Sequence, residues 1–425
     1  MVLRIEDTDI ERSSQEAIDV IMQAMEWLGL SWNRGPYLQT DRFERYREVI
    51  DQLLGQGHAY HCFCSRERLD QLRESQRAAG QKPRYDHHCR DLGRQPEAGE
   101  DTVVRFRNPL DGTVVFDDVV RGRVEIDNRE MDDLIVARSD GTPTYNLTVV
   151  VDDIDMGISH VIRGDDHTNN TPRQINIFHA LGAELPVFAH VPLILGPDGQ
   201  RLSKRHGAVS VLEYREMGIL PEALLKYLVR LGWSHGDQEI FDLDEMIDLF
   251  DIVDINKSAA SFDLDKLLWV NQHYIRQADT ERLANLLAKC LHRRDIRLCD
   301  GPRVGEVVEV LRDRVQTMMQ MADQSLYFYT EPEGYGPEAA EKHLTAESAP
   351  RLKALATEFD NLDDWDAEAI QAIIKKVVAV QEVKFPMVAL PLRVALTGDT
   401  ATPSIDITVQ LIGKARTLAR IDRAI

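Results

Sequence analysis

The chain lacks any run approaching the ~20 apolar residues that a membrane-spanning helix needs. Its N-terminus also lacks the basic-then-apolar order of an export signal. Membrane insertion and secretion are therefore not expected, and the sequence reads as that of a soluble, cytoplasmic protein. Cysteine is scarce: five in 425 residues, an odd count, which argues against a disulfide framework. Positive charge is short as well, with 50 Lys+Arg against 71 Asp+Glu and a net charge of −21. That balance excludes an indiscriminate polycation, but a local basic face can still bind RNA whatever the total. Internal repeats and low-complexity tracts are also missing.

What is present is enough to fold. Hydrophobic residues make up 43% and charged residues 28%, a composition that supports packed cores. The length, about three times the usual ~150-residue domain, predicts two to four domains. Val2–Ile5 is expected as a strand that runs into the acidic turn Glu6–Asp9. Ser13 and Glu16 are spaced as a capping box for a helix carrying Ile18, Ile21, Met22 and Met25. Asp41 starts a second helix with Tyr46, Val49, Ile50 and Leu53 on one face. Residues 102–152 read as strands, including the run Val149–Val151, and Ile158–Ile162 reads as another. Thr171-Pro172 are expected as N-cap and N1 of a helix. Val191–Leu195 is a further expected strand, closed by the turn at Pro197-Asp198-Gly199. Strand, helix and strand in this rhythm predict a parallel α/β sheet with a mixed insertion. From about Leu212 helical periodicity takes over, and 330–336 reads as a linker.

Three groups of residues carry possible chemistry. Arg201-Leu202-Ser203-Lys204-Arg205 puts three cations and a hydroxyl in one loop, which suits a clamp on a triphosphate; the alternative is a solvated basic loop. Glu6, Tyr145, Arg163, Asp165, Asp166 and His167 stand at or just after expected strands, where ligands bind open α/β sheets. Arg163 suits a carboxylate and Glu6 an ammonium group, although each alone is more readily an ordinary surface polar group. Cys62 and Cys64 are two apart, so on a strand both thiols share a face, and a helix capped by Ser65 returns the chain to Cys89. Three thiolates with a fourth donor make a tetrahedral zinc site. Asp91 is the nearest fourth candidate, His87 and His88 compete, and three buried free cysteines are the alternative.

Seven blocks in order together resemble the bacterial glutamyl-tRNA synthetases, class I aminoacyl-tRNA synthetases, over nearly the whole chain. They are Leu3–Asp9, Asp140–Asn146 with Val151-Asp152-Asp153, His160–His167, Arg201–Ala208, Pro221–Leu224, Leu267–Asn271 and Pro391–Gly398. The resemblance implies glutamate–tRNA ligation with ATP and Mg²⁺, by a monomer acting on L-glutamate and tRNA(Glu). It implies catalytic roles for Lys204, Ser203 and Arg201, with Arg201 standing where the family usually has lysine. It implies glutamate binding by Glu6, Tyr145 and Arg163, and ATP binding by Lys204, Asp166 and His167. It also implies one structural Zn²⁺ on Cys62, Cys64 and Cys89, with Asp91 where a family subgroup has histidine.

The implied fold is α/β plus all-α. A Rossmann-like catalytic core at 1–44 and 153–211 is interrupted by an acceptor-stem insertion at 45–152. A stem-contact domain at 212–289 and a helical anticodon-binding domain at 290–425 follow. The His-x-Gly-His signature of the family's first βα unit does not occur in this sequence, so that unit is expected to be missing. Two other readings follow from the same residues: a tRNA-binding fragment without catalysis, and a glutamyl transferase acting on a modified tRNA base.

Overall fold

The structure, a computed structural model, describes residues 1–8, 13–203 and 210–425. The chain divides into two compact units, 1–208 with 228–263, and 209–227 with 264–425. The four boundaries expected at 44/45, 152/153, 211/212 and 289/290 each fall inside a helix (Phe43–Gly55, Tyr145–Met156, Val211–Glu216 and Thr280–His292).

The first unit holds nine strands among the described residues: β1 (Val2–Ile5), β2 (Arg34–Leu38), β3 (Ala59–Cys62), β4 (Val103–Phe106), β5 (Thr113–Asp118), β6 (Gly122–Asp127), β7 (Ile135–Ala137), β8 (His160–Gly164) and β9 (Val187–Val191). They form a parallel pair β1-β2, an antiparallel sheet β3-β4-β7 and a mixed sheet ordered β6-β5-β9-β8. In β5, Val114, Phe116 and Asp118 are buried and alternate with exposed neighbours, the period-2 pattern of a strand with one covered face. The parallel β8-β9 ladder brings Arg163 directly opposite His190.

Several expectations need correction. Val149–Val151 is not a strand but the middle of helix Tyr145–Met156, which ends at Gly157 in the left-handed conformation. Every residue from Leu147 to Asp153 is buried. A helix covered on all sides loses its 3.6-residue signature, and a short apolar run then cannot be told from a strand. The last strand is Val187–Val191, not Val191–Leu195. Pro192 follows it and has no N–H to continue the ladder, so Leu195 makes only isolated bridges, to Arg201 and Ser261. The first helix, Gln15–Trp27, is capped by Ser14 rather than Ser13, with the Ala17 amide donating to the Ser14 hydroxyl. Asn170, not Thr171, is the N-cap of helix Thr171–Ala180, which puts Thr171 and Pro172 inside its first turn.

In the second unit the described residues from Val211 on are helical or in turns. Helix Ala367–Val380 buries Ile370, Ile374 and Val377, the spacing of one helix face. Residues 330–336 are no linker, because they lie within this unit. The buried Arg420 donates to the carbonyls of Tyr327, Thr330 and Leu396 and to the Glu331 carboxylate, and Gly336 donates to the carbonyl of Gly398. Buried guanidinium donors satisfied in this way fasten a chain that composition alone marks as loose.

Candidate active site

A cleft of about 460 Å³ opens beside β1 and β8 in the first unit, and Arg4, Glu6, Tyr145, Asp153, Arg163 and His167 line it. All three residues expected to bind glutamate are therefore brought together. Asp152 and Asp153, on helix Tyr145–Met156, hold the β1 side. Asp153 Oδ1 accepts from Arg4 Nη1 at 2.8 Å, and Arg4 Nη2 donates to Glu6 Oε1 at 3.1 Å. The fully buried Asp152 accepts from Gln39 Nε2 (2.8 Å), Arg42 Nε (2.7 Å) and Tyr46 Oη (2.9 Å). Burial raises the Asp153 carboxyl, and nearby Glu6 and Asp152 add to that while Arg4 opposes it.

Tyr145 starts its helix, and its hydroxyl lies 3.2 Å from Nδ1 of His167 in the short 3-10 turn Asp165–His167. Desolvation lifts the Tyr145 phenol above its ordinary value, and Glu6 adds to the rise. Arg163 lies across the floor. Its Nε donates to His190 Nε2 at 3.2 Å, and its Nη2 donates to Thr171 Oγ1 and Gln174 Oε1, both at 2.8 Å. Those bonds take the Nε and Nη2 donors, and the Tyr145 phenol interacts with the same guanidinium. Burial lowers the Arg163 guanidinium from its ordinary value, with Tyr145 opposing. A desolvated cation walled by polar groups of fixed direction is a built receptor for an anion.

Asp166 is near this end of β8, and Arg201 Nη1 contacts its Oδ2 at 3.1 Å. A Cβ on Gly164 would stand 2.6 Å from Asp166 Oδ1, so a larger residue there would push the Asp166 carboxylate aside. Arg201 is mostly exposed, and Ser203 is half-buried in the segment that follows the Asp198-Gly199 turn. Lys204 lies outside the described residues.

The thiol cluster is a second centre within the same unit. The sulfurs of Cys62, Cys64 and Cys89 all lie within 4.8 Å of one another, with Cys64 and Cys89 at 3.5 Å. β3 ends at Cys62, so Cys64 turns inward from the following loop rather than from the strand. Ser65 caps helix Arg66–Ala78 as expected. Asp91 is not at the cluster: its side chain is 85% exposed and pairs with Arg107 at 2.9 Å. The chain turns at Cys89, Arg90 takes the inward position against Asp133, and Asp91 faces water. His87 is 3.9 Å from Asp133 and His88 is exposed. The group that does reach the thiols is Tyr85, whose hydroxyl is 3.4 Å from Cys62 Sγ, 3.7 Å from Cys64 Sγ and 2.9 Å from the Cys89 amide. Sequence reasoning passed over Tyr85, although its place four residues before Cys89 was a usable signal. Burial pushes the Cys64 thiol up to about 12, whereas for Cys62 the Tyr85 hydroxyl, the Cys64 amide and Arg105 outweigh burial and lower it.

This architecture is that of a class I tRNA synthetase. The pattern "tRNA synthetases class I (E and Q), catalytic domain" matches residues 1–269, and "Anticodon binding domain" matches 278–425. The chain belongs to the glutamate–tRNA ligase family. It is 58% identical over 424 residues to Glutamate--tRNA ligase 1 of Alkalilimnicola ehrlichii and 56% identical to that of Nitrosococcus oceani, covering 100% of this chain and 90% of each relative. Among solved structures, a glutamate tRNA ligase from Elizabethkingia meningosepticum in complex with its amino acid superposes with a TM-score of 0.87 at 30% identity, over 100% of this chain and 92% of that one. Among the described residues no helix is long and apolar enough to cross a membrane.

Proposed function

We propose that this chain joins L-glutamate to the 3′ end of tRNA(Glu), acting as a cytoplasmic monomer with ATP and Mg²⁺. The α-carboxylate of glutamate attacks the α-phosphorus of ATP; the new P–O bond replaces the one to pyrophosphate, which leaves. A terminal ribose hydroxyl of the tRNA then attacks the glutamyl carbonyl and AMP departs. The observation that carries this reading is the convergence of Glu6, Tyr145 and Arg163 on one cleft. Glu6 meets the ammonium group of glutamate, and Tyr145 and Arg163 read its side-chain carboxylate. Arg201, Ser203, Lys204, Asp166 and His167 serve ATP. Glutamate-dependent exchange of pyrophosphate into ATP, followed by charging of tRNA(Glu) and tRNA(Gln) transcripts, tests the assignment. Exchange without charging of either would sink the tRNA step.

Replacing Lys204 by alanine is expected to slow pyrophosphate exchange by about 10²-fold while moving glutamate affinity less than threefold. A cation near the phosphates acts where charge develops, in the transition state. An unchanged exchange rate removes Lys204 from the mechanism.

The thiol cluster supports a structural zinc. Tetrahedral Zn–S bonds of ~2.3 Å put sulfurs about 3.8 Å apart, close to the 3.5 Å between Cys64 and Cys89. A sulfur and an oxygen on the same ion stand about 3.5 Å apart, which the Tyr85 hydroxyl meets at 3.4 and 3.7 Å. Three soft thiolates are a zinc donor set, and a bound cation offsets the crowding of three like charges. We therefore assign Cys62, Cys64 and Cys89 with Tyr85, in place of Asp91, as the residues that hold the ion. Purified without chelators, the protein should carry about one equivalent of zinc. Asp91→Ala should leave that content unchanged, and Cys64→Ser should abolish it. Loss of zinc in the Asp91 variant would overturn the Tyr85 assignment.

A further inference from the structure

We propose that His190, oriented by Asp118, is a positioning residue: it fixes the guanidinium of Arg163 and so sets how tightly the cleft holds glutamate. This rests on the reading of Arg163 as the carboxylate receptor given above.

His190 and Asp118 are both fully buried and line no part of the cleft. The sequence marks neither one: His190 is a single polar residue inside an apolar strand, and Asp118 is the second of two aspartates at a strand end. Yet they stand at the end of a closed chain of hydrogen bonds. Asp118 Oδ1 accepts from the amides of Val120 (3.0 Å) and Arg121 (2.8 Å), and its Oδ2 lies 2.6 Å from His190 Nδ1. Burial pushes the Asp118 carboxyl up, but the Arg121 amide, the His190 imidazole and further amides outweigh it and hold it below the usual carboxylate range. An ionised Asp118 can only accept, so the proton of the imidazole sits on Nδ1. Nε2 is then a lone pair, and it faces two donors, Arg163 Nε at 3.2 Å and Thr171 Oγ1 at 3.0 Å. Thr171 can donate to His190 because it accepts from Arg163 Nη2. Gln174 accepts the other Nη2 proton, and its own amide donates to Asn146 Oδ1 at 3.1 Å.

Each donor in this chain has one acceptor and each direction is forced by the one before it. The β8-β9 register supplies the first contact by setting Arg163 opposite His190. A guanidinium on a flexible stem samples many rotamers and loses that freedom when it binds. Holding it in one plane at the cleft wall removes that cost from glutamate binding. A protonated His190 would turn Nε2 into a donor facing the Arg163 Nε–H. Consistent with the neutral form, burial lowers the His190 imidazole, Asp118 opposes that and Arg163 adds to it.

The test is glutamate affinity by calorimetry on the full chain, with ATP affinity measured alongside. Losing one hydrogen bond to a charged group should weaken glutamate about 10- to 50-fold in His190→Ala, with ATP affinity within about twofold. His190→Gln, which can place its amide oxygen near the Nε2 position, should stay within about fivefold of wild type; Asp118→Asn should fall between the two. Glutamate affinity unchanged in His190→Ala overturns the proposal, as does equal loss of glutamate and ATP binding. Arg163→Gln separates the two readings. If it alone weakens glutamate, the cleft reading stands and the positioning role falls. If it does not, the cleft reading itself fails. Should the His190 variants not fold, a ¹⁵N histidine spectrum of the wild type decides: one neutral Nδ1–H ring is expected at pH 7.5. Finding instead only Nε2–H or doubly protonated rings overturns the proposal.

Discussion

Replacing Arg163 by glutamine should raise the KM for glutamate by about 10²- to 10³-fold, with kcat at saturating glutamate falling far less. A carboxylate entering the cleft must give up its water. A desolvated guanidinium compensates for that loss, whereas an amide offers only a neutral donor. The effect should exceed that of any exposed arginine on the cleft rim, because solvent screens exposed pairs to about 1 kcal/mol or less. The same change should narrow the preference for glutamate over glutamine, since glutamine no longer competes with a substrate that the cation favours. Charging assays with each amino acid read both quantities. If KM and selectivity both stay within threefold, the side-chain carboxylate is read elsewhere.

How much of this was legible before the structure depends on the kind of signal each residue carries. Glu6 and Arg163 were legible because they lie at or beside strand ends, which converge in an open α/β sheet, whereas Tyr145, which starts a helix, was marked by the resemblance. The thiol cluster was legible from spacing alone, but its fourth neighbour was not. Asp91 is closest in sequence and faces water, while Tyr85 reaches the sulfurs because the turn at Cys89 folds the chain back on itself. Helix Tyr145–Met156 was read as a strand because burial on every side erases the amphipathic period. Asp118 and His190 were invisible for a related reason. Their meaning lies in strand register, Arg163 beside His190, and register is a long-range property that no local window of sequence contains.

Asp152 is the site where substitution should cost the most stability. It is fully buried on helix Tyr145–Met156 and joins elements far apart in the chain. It accepts from Gln39 after β2, from Arg42 in the short turn Thr40–Arg42 and from Tyr46 on helix Phe43–Gly55. Arg4 Nε of β1 stands 3.6 Å away. Asp152→Ala removes the buried acceptor: the Tyr46 phenol and the Gln39 amide lose theirs, and Arg4 and Arg42 keep only their outer partners Asp153, Glu6 and Asp155. Breaking a buried ion pair from one side costs about 3–5 kcal/mol, which is roughly 10²- to 10⁴-fold in the opening equilibrium of the elements it joins. Asp155, one turn along the same helix, is the control. It pairs with Arg42 and Arg45 at the surface, and water replaces those contacts, so Asp155→Ala should cost about 1 kcal/mol or less. Hydrogen exchange read peptide by peptide distinguishes the two variants. Amides of Val2–Ile5 and Tyr145–Met156 should lose protection about 10²-fold or more in Asp152→Ala and hardly at all in Asp155→Ala. Equal protection in both variants would mean that Asp152 is no more than one polar contact among many. The Glu6 side of the cleft would then owe its placement to the packing of β1 against β2 instead.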